Sequence, residues 1–395
     1  MSLLEKILKN STIKTTSTLD ESKVFKQQEE VTTPIPAINV ALSGRLDGGF
    51  LPGVTVFAGP SKHFKSSFAL LLGKAYMEKY PEAVMLFYDN EFGAPQAYFE
   101  NMGIDVGRVA HTPITNIEEL KFDLAKQLND LTPEDKVIII VDSVGNLASK
   151  KEAQNALDEN SAADMTRAKE MKSLFRIVTP HIKMKNIPMI VINHTYKEMG
   201  LFPKDVVSGG TGIYYSADNI YIIGRQQDKD GKEVVGFNFI INIEKSRFTK
   251  EKTKIPVEFS LENGISKYSG LLDMGLDSGL VTNPSKGWYQ YGKQKFRADD
   301  FGEVAEELLT SDEFKQWVTD KYSLNTKLWQ EEEGEEEEMR LPEERKFEAR
   351  KTKLKKTTKE KSDKMPDFPD VDGDGDTKEP ISKASADKKK SEPKG

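Results

Sequence analysis

The sequence predicts an α/β protein built on a mostly parallel, twisted sheet flanked by helices, and three observations carry that prediction. Short, nearly continuous apolar runs recur at Val54–Ala58, Val84–Tyr88, Val137–Val141, Met189–Ile192, Asn219–Ile223 and Phe237–Ile243. Helical periods fill the gaps at 65–79, 95–102, 117–129 and 163–183. Strands that are apolar on successive residues are buried on both faces, and strands alternating with helices pair in parallel. The third observation is a phosphate-loop motif, one residue from ideal, between the first run and the first helix.

That motif is Gly59-Pro60-Ser61-Lys62-His63-Phe64-Lys65-Ser66, which reads G-x-x-x-x-G-K-S except that Phe64 replaces the second glycine. Strand, loop and helix follow in the order the motif requires, with Phe68, Leu71, Leu72, Ala75 and Tyr76 marking the helix. In such a loop, backbone N–H groups and the helix N-terminus surround phosphates, and the lysine reaches the β and γ oxygens. The Ser66 hydroxyl is placed to ligate Mg²⁺. Phe64 is compatible with this if the backbone at that position does not require φ > 0.

The remaining elements divide the chain into four expected parts. Residues 1–34 read as an amphipathic helix, with Leu4, Ile7 and Leu8 on one stripe, and a polar linker; the stripe suits an arm that packs on a neighbouring subunit. Residues 35–270 hold the alternating pattern, closed by an antiparallel hairpin across Asp228-Lys229-Asp230-Gly231 at the sheet edge. Residues 271–330 suggest a smaller helical and loop region. From 331 to 395 the composition predicts a disordered charged tail, opening with seven glutamates around one glycine at Glu331–Glu338. Asp370–Gly375 resembles a calcium loop, but Ile381 stands where a bidentate glutamate belongs, so a solvated linker is expected.

Composition narrows the chemistry. The chain has 395 residues, no cysteine and four histidines, which excludes disulfides, thiolate metal sites and thiol nucleophiles. No run of eighteen apolar residues and no secretory core occurs, so a cytoplasmic, membrane-free protein is expected. The net charge of −7 is not an argument against nucleic acid: residues 331–395 hold 20 acidic and 17 basic side chains, leaving 44 and 40 in the body. Local potential, not the sum, steers binding.

Further candidates end the later strands. Asp142 follows Val137–Val141 and suits a Mg²⁺ ligand opposite Ser66. Asp89 and Glu91, in Phe87-Tyr88-Asp89-Asn90-Glu91, reach the same crevice, and either carboxylate could polarise an attacking water. Asn193-His194 ends the next strand as a polar pair able to sense a γ-phosphate. Loops are expected at about 150–162 and 195–212, the second closing in Ser208-Gly209-Gly210-Thr211-Gly212, and together they could form a strand-binding surface.

These segments resemble the RecA family of recombinases, most closely the UvsX-type recombinases of tailed bacteriophages, over roughly residues 35–290. The resemblance rests on GPSKHFKSS at 59–67, LFYDNEFG at 86–93, VDSVGNLASKKE at 141–152, DMTRAKEMKSLFRIVTP at 164–180, INHTY at 192–196, SGGTGIYYSAD at 208–218 and EKSRF at 244–248. It implies a RecA-like ATPase core using ATP and Mg²⁺, with Gly59 through Ser67 as the nucleotide loop. Glu91 then matches the general base and Tyr98 an aromatic that stacks on adenine. His194 stands where bacterial members carry a glutamine between the γ-phosphate and the second DNA loop. Lys245 and Arg247 match cations that reach the nucleotide of the adjacent subunit.

The implied function is filament formation on single-stranded DNA, then homologous pairing and strand exchange with duplex. Lys150, Lys151, Arg167, Thr195, Lys204, Gly209 and Gly210 are the candidate DNA contacts. A recombination mediator and a single-strand DNA-binding protein are expected partners, with the charged tail as a modulator. Two rivals remain at this point. A hexameric RecA-fold helicase usually carries a further N-terminal domain, and a non-catalytic ATP-gated mediator would not need Lys65, Ser66, Glu91 and Asp142 intact.

Overall fold

Alternate residues of each apolar run face opposite sides of one sheet, which explains why the runs are nearly continuous. The computed structural model describes residues 1–26, 28–158, 165–198 and 205–324. The expected tail at 331–395, with its glutamate run and its calcium-like segment, lies outside the described residues.

Helices α1 (Leu3–Asn10), α2 (Lys23–Lys26) and α3 (Pro36–Ser43) precede β1 (Gly53–Ala58). Then follow α4 (Lys65–Lys79), β2 (Val84–Asp89), α5 (Gln96–Asn101), β3 (Val109–Pro113), α6 (Ile117–Asp130) and β4 (Val137–Asp142). Next come α7 (Lys150–Leu157), α8 (Thr166–Met184), β5 (Pro188–Asn193), a short β6 (Thr195–Lys197) paired with β7 (Asp205–Val207), and α9 (Thr211–Ser216). Long strands β8 (Asn219–Asp230) and β9 (Glu233–Lys245) lead to β10 (Lys254–Ser260) and β11 (Gly264–Ile265). The chain continues through α10 (Leu271–Ser278), β12 (Val281–Ser285), β13 (Trp288–Tyr291), β14 (Gln294–Phe296), α11 (Phe301–Thr310) and α12 (Asp312–Tyr322).

Nine strands form one sheet in the order β11-β10-β9-β8-β1-β5-β4-β2-β3. The six from β8 to β3 run parallel, and β9, β10 and β11 extend the edge antiparallel, with Gly231 at φ +58 in the β8–β9 turn. On one face Ile138, Ile140 and Phe57 pack with α4; on the other Val137, Ile139, Val141, Val54 and Val56 pack with α6 and α8. Order reverses around β1, whose neighbours β5 and β8 come much later in the chain, and the strand ends there open into the crevice where open α/β sheets bind ligands.

Three expectations need correction. Strand β3 was not anticipated, because Val109-Ala110-His111-Thr112-Pro113 is an edge strand with mostly accessible side chains and no apolar run. Residues 150–157 are not loop but helix α7, started by a reciprocal capping box between Ser149 and Glu152. Residues 271–324 contain a three-stranded antiparallel sheet, β12-β13-β14, besides helices, and its strands are too short and exposed to register as apolar periods.

Helix α1 is capped by a second such box, Ser2 with Glu5, and buries no residue within its own chain. Leu3, Leu4 and Ile7 are exposed. Among the described residues no helix is long and apolar enough to cross a membrane.

Candidate nucleotide and nucleic-acid site

The phosphate loop leaves the end of β1 at Gly59 and enters α4 at Lys65. Phe64 sits in the left-handed region at φ 62, so the position does demand the conformation glycine usually supplies. The condition under which phenylalanine fits easily, a backbone that does not require φ > 0, is therefore not met, and packing explains how the residue tolerates the position. Its ring stacks on Phe239 at 4.7 Å, lies 4.8 Å from Phe259 and meets Phe68 edge-on at 5.8 Å. Aromatic burial against β9 and β10 offsets a strain of about 1–2 kcal/mol.

The other loop residues are tied down by polar contacts. Arg225 donates to the Lys62 carbonyl at 2.9 Å, and His63 Nδ1 lies 2.9 Å from the Ser61 carbonyl. Lys65 is buried and its Nζ donates to the Pro60 carbonyl at 2.8 Å. Burial pushes the Lys65 ammonium below its usual range, against the opposing pull of Glu91 and Asp142. The Ser67 hydroxyl and the Tyr98 hydroxyl, from α5, form a short hydrogen bond. Tyr98 is thus held beside the first turn of α4.

Ser66 Oγ donates to Asp142 Oδ2 at 2.6 Å. Burial raises the Asp142 carboxyl to about 6; the bond from Ser66 opposes this, while nearby Glu91 and Asp89 add to it. Its Oδ1 is buried without a hydrogen-bond partner. An orphaned carboxylate oxygen beside a serine hydroxyl is an oxygen-only donor set that fits a hard divalent cation. Among the described residues no group of three or more His, Cys, Asp or Glu gathers as a metal site. A cation here would complete its shell with phosphate oxygens and water, as Mg²⁺ does.

Asp89 and Glu91, which the residues alone left undecided, are separated by geometry. Asp89 is buried, and its Oδ1 accepts the N–H groups of Glu91 at 3.0 Å and Phe92 at 2.8 Å. Its Oδ2 faces His111 Nε2 at 3.3 Å. The Asp89 carboxylate is therefore occupied in shaping the turn. Glu91 projects from that turn, and its Oε1 is approached by Ser143 Oγ at 2.5 Å, His194 Nε2 at 2.9 Å and Asn146 Nδ2 at 3.0 Å. The hydrogen bond from His194, with help from Ser143 and Lys65, holds the Glu91 carboxyl below its ordinary value despite partial burial.

Ser143, Asn146 and Asn90 were not singled out from sequence. Asn90 Oδ1 accepts the Ser143 N–H at 2.5 Å and so ties the Glu91 turn to the segment after β4. The available signal was their placement, directly behind two strands that end in acidic residues.

The candidate nucleic-acid residues distribute differently. Lys150 and Lys151 stand exposed in the first turn of α7. Thr195 begins β6 one residue beyond His194, and Gly209 and Gly210 take φ 94 and φ 72 before α9. The two segments are joined: Asn193 Nδ2 donates to the Ser208 carbonyl at 2.7 Å, and Ser208 N–H donates to the His194 carbonyl at 2.9 Å. Arg167, in the first turn of α8, is engaged within the chain with the carbonyls of Leu147, Gly145 and Val144. Lys204 lies outside the described residues.

Comparison with known proteins now bears on this site. Residues 3–266 match the RecA N-terminal domain family. Residues 268–331 match the C-terminal domain of the bacteriophage T4 recombination and repair protein. The recombination and repair protein of Enterobacteria phage T4 is 49% identical over 305 residues, covering 77% of each chain. The chain belongs to the RecA family, on its UvsX-type phage branch. Protein RecA of Bacteroides thetaiotaomicron is 27% identical over 297 residues, covering 74% of this chain and 86% of its own. Protein RecA of Marinobacter nauticus is 26% identical over 312 residues, covering 75% and 87%. With the family goes ATP-dependent recombinase activity and DNA-dependent ATP hydrolysis.

In this recombinase Lys245 and Arg247 do not join the Glu91 cluster. Lys245 pairs with Ile220, which stands beside Val56, two residues before β1 ends at Ala58 and the phosphate loop begins. Lys245 Nζ donates to the carbonyls of Tyr214 at 2.7 Å and Ala217 at 2.8 Å, capping the C-terminus of α9. Arg247 Nε donates to Asp218 Oδ1 at 2.5 Å, and Asp218 also takes Lys183 at 2.8 Å and the Val54 N–H at 3.0 Å. Both side chains thus end on residues 214–218, just before β8, whereas Lys65 follows the far end of the parallel neighbour β1.

Proposed function

We propose that this recombinase loads ATP on the Gly59–Ser67 loop, assembles on single-stranded DNA as a helical filament, and carries out homologous pairing and strand exchange with duplex. The observation that carries the reading is the convergence of Lys65, Ser66, Asp142 and Glu91 on one strand-end crevice, with Glu91 held by donors from two other strand ends. In this reading the loop N–H groups and Lys65 bind the β and γ phosphates, and Tyr98 lies along the adenine side. Ser66 and Asp142 would hold Mg²⁺, which when bound neutralises charge on the phosphate oxygens. Glu91 orients the attacking water and accepts its proton; its lowered pKa keeps it ionised at neutral pH.

Lys245 and Arg247 act on the nucleotide of the adjacent subunit, because within their own chain they are held on residues 214–218, just before β8, while the phosphate loop follows the far end of β1. Stabilisation of γ-phosphate charge by a neighbour's cation makes assembly a condition for fast hydrolysis. His194 and the Asn193–Ser208 bond connect the base to the segment carrying Gly209 and Gly210, where DNA is engaged together with Lys150, Lys151 and Thr195. A recombination mediator and a single-strand DNA-binding protein complete the partner set. The four-part division at residues 34, 270 and 330 belongs to the same reading, with residues 1–34 as the assembly arm.

The test is ATP hydrolysis by the full chain with and without single-stranded DNA, beside Glu91→Gln. Strong DNA stimulation, lost in the variant while DNA binding persists, is expected. Equal hydrolysis by the variant removes Glu91 as base, and closed rings in place of filaments by electron microscopy would favour a helicase.

A further inference from the structure

Ser143 and Asn146 both donate to Glu91 Oε1, so whatever fixes residues 143–147 also fixes the base. Those residues leave β4 and are not part of any helix or strand. Their side chains reach Glu91 only while their backbone keeps one path.

The Ser143 N–H is taken by Asn90 Oδ1 and the Val144 N–H by the Ile192 carbonyl, and one side chain holds three carbonyls of the rest of that path. Arg167 enters from the first turn of α8 and donates through Nε to the Leu147 carbonyl at 2.8 Å. Its second nitrogen donates to the Gly145 carbonyl at 2.6 Å and to the Val144 carbonyl at 3.3 Å. A guanidinium presents its donors in a rigid planar fork, so three carbonyls on one fork fix a backbone trace as few side chains can. Asn146 lies between two of the held carbonyls. The segment is also closely confined on its other side: a Cβ at Gly145 would come within 2.6 Å of His194 Cδ2 and 2.9 Å of Asn193 Oδ1. The segment is thus clamped between Arg167 and the end of β5, with Glu91 in front.

We infer that Arg167 is a positioning residue for ATP hydrolysis, holding residues 144–147 so that Ser143 and Asn146 keep Glu91 aimed at the attacking water. The inference rests on Glu91 being the base. It assigns Arg167 a task separate from contacting DNA, and one that applies before DNA binds. Loss of the fork loosens the donors, and a displacement of about 1 Å at a base costs up to about a hundredfold in rate.

The experiment is steady-state ATP hydrolysis by the full chain without DNA and with saturating single-stranded DNA. Arg167→Gln, Arg167→Lys, Asn146→Ala, Glu91→Gln and the Arg167→Gln/Asn146→Ala double variant are compared. DNA binding is read separately by anisotropy with a non-hydrolysable ATP analogue. Arg167→Gln is expected to lower kcat about ten- to a hundredfold under both conditions with the KM for ATP within about twofold. Arg167→Lys, which keeps the charge but not the fork, should fall between, and it carries the test if the glutamine variant melts early. The double variant should lose less than the product of the single losses, since both act through the same donors.

DNA-free hydrolysis unchanged in Arg167→Gln, with DNA affinity reduced, would assign Arg167 to DNA alone and overturn the inference. Losses that multiply in the double variant would do the same. A Glu91→Gln chain that hydrolyses ATP normally would instead overturn the underlying assignment of the base, and with it this inference.

Discussion

His194 Nε2 lies 2.9 Å from Glu91 Oε1 and joins the end of β5 to the turn after β2. Two elements far apart in sequence therefore share one carboxylate, and the shared bond is the leading cause of the lowered Glu91 pKa. Because the folded value is depressed, the contribution of the pair to stability is present above the unfolded carboxylate value of 4.5 and fades as pH falls through the folded one.

His194→Ala removes that cause. Burial, which raises the Glu91 pKa, then weighs more heavily. The acid limb of the pH profile for hydrolysis should move to higher pH, with the neutral rate reduced. An acid limb that stays in place would separate His194 from the ionisation of Glu91. The measurement is kcat/KM for ATP across the acid range with DNA saturating.

Phe64 makes an unusual stability prediction, because two of its properties oppose each other. Its left-handed backbone favours glycine, whereas its ring packs against Phe239, Phe259 and Phe68. Truncation to Ala loses the ring contacts and keeps the strain; truncation to Gly loses the contacts and relieves it. Both should destabilise, with Phe64→Gly more stable than Phe64→Ala by about 1 kcal/mol. Urea unfolding of the two variants checks the order. The reverse order would mean that φ at position 64 relaxes once the ring is gone.

Asp142 lets its site be tested without nucleotide. Its folded pKa of about 6 stands above the ordinary value of 3.8, so in metal-free protein the ionised form costs stability at neutral pH. The sign is opposite to that of Glu91: stability should improve as pH falls through about 6 and level off below 3.8. Asp142→Asn removes the buried charge and should stabilise metal-free protein at neutral pH by up to about 3 kcal/mol while abolishing ATP hydrolysis. Thermal melts in a chelator at pH 7.5 and pH 5 test both statements, and a variant that melts below the parent at both would refute them.

The two elements that flank the phosphate-loop motif were legible in sequence because each rests on a local signal. The β1–loop–α4 unit is an apolar run, a phosphate motif and a helical period, and α4 occupies the expected 65–79. Edge elements were not legible: β3 and the β12–β14 sheet are half-exposed, so their side chains do not alternate cleanly in hydrophobicity. Contacts such as Glu91 with Ser143 and His194, or Arg167 with residues 144–147, depend on how distant elements align, and spacing along the chain does not encode that. How Phe64 tolerates its positive φ was not legible for a related reason, since the compensation comes from Phe239 and Phe259, far along the sequence.

Lys245 and Arg247 lead to the most decisive mixing experiment. Their side chains are held on residues 214–218, just before β8, away from the loop that follows the far end of β1, so under the proposed function their action on nucleotide crosses a subunit boundary. Lys245→Gln keeps a donor for the Tyr214 and Ala217 carbonyls but removes the charge, and it should hydrolyse poorly alone. Glu91→Gln should also be inactive alone, for want of a base. In a head-to-tail assembly of both, a site with intact Glu91 can receive Lys245 from a Glu91→Gln neighbour. Random equal mixing should therefore restore about a quarter of parental hydrolysis. No recovery on mixing, with filaments still formed, would place the action of Lys245 within its own subunit and contradict the geometry.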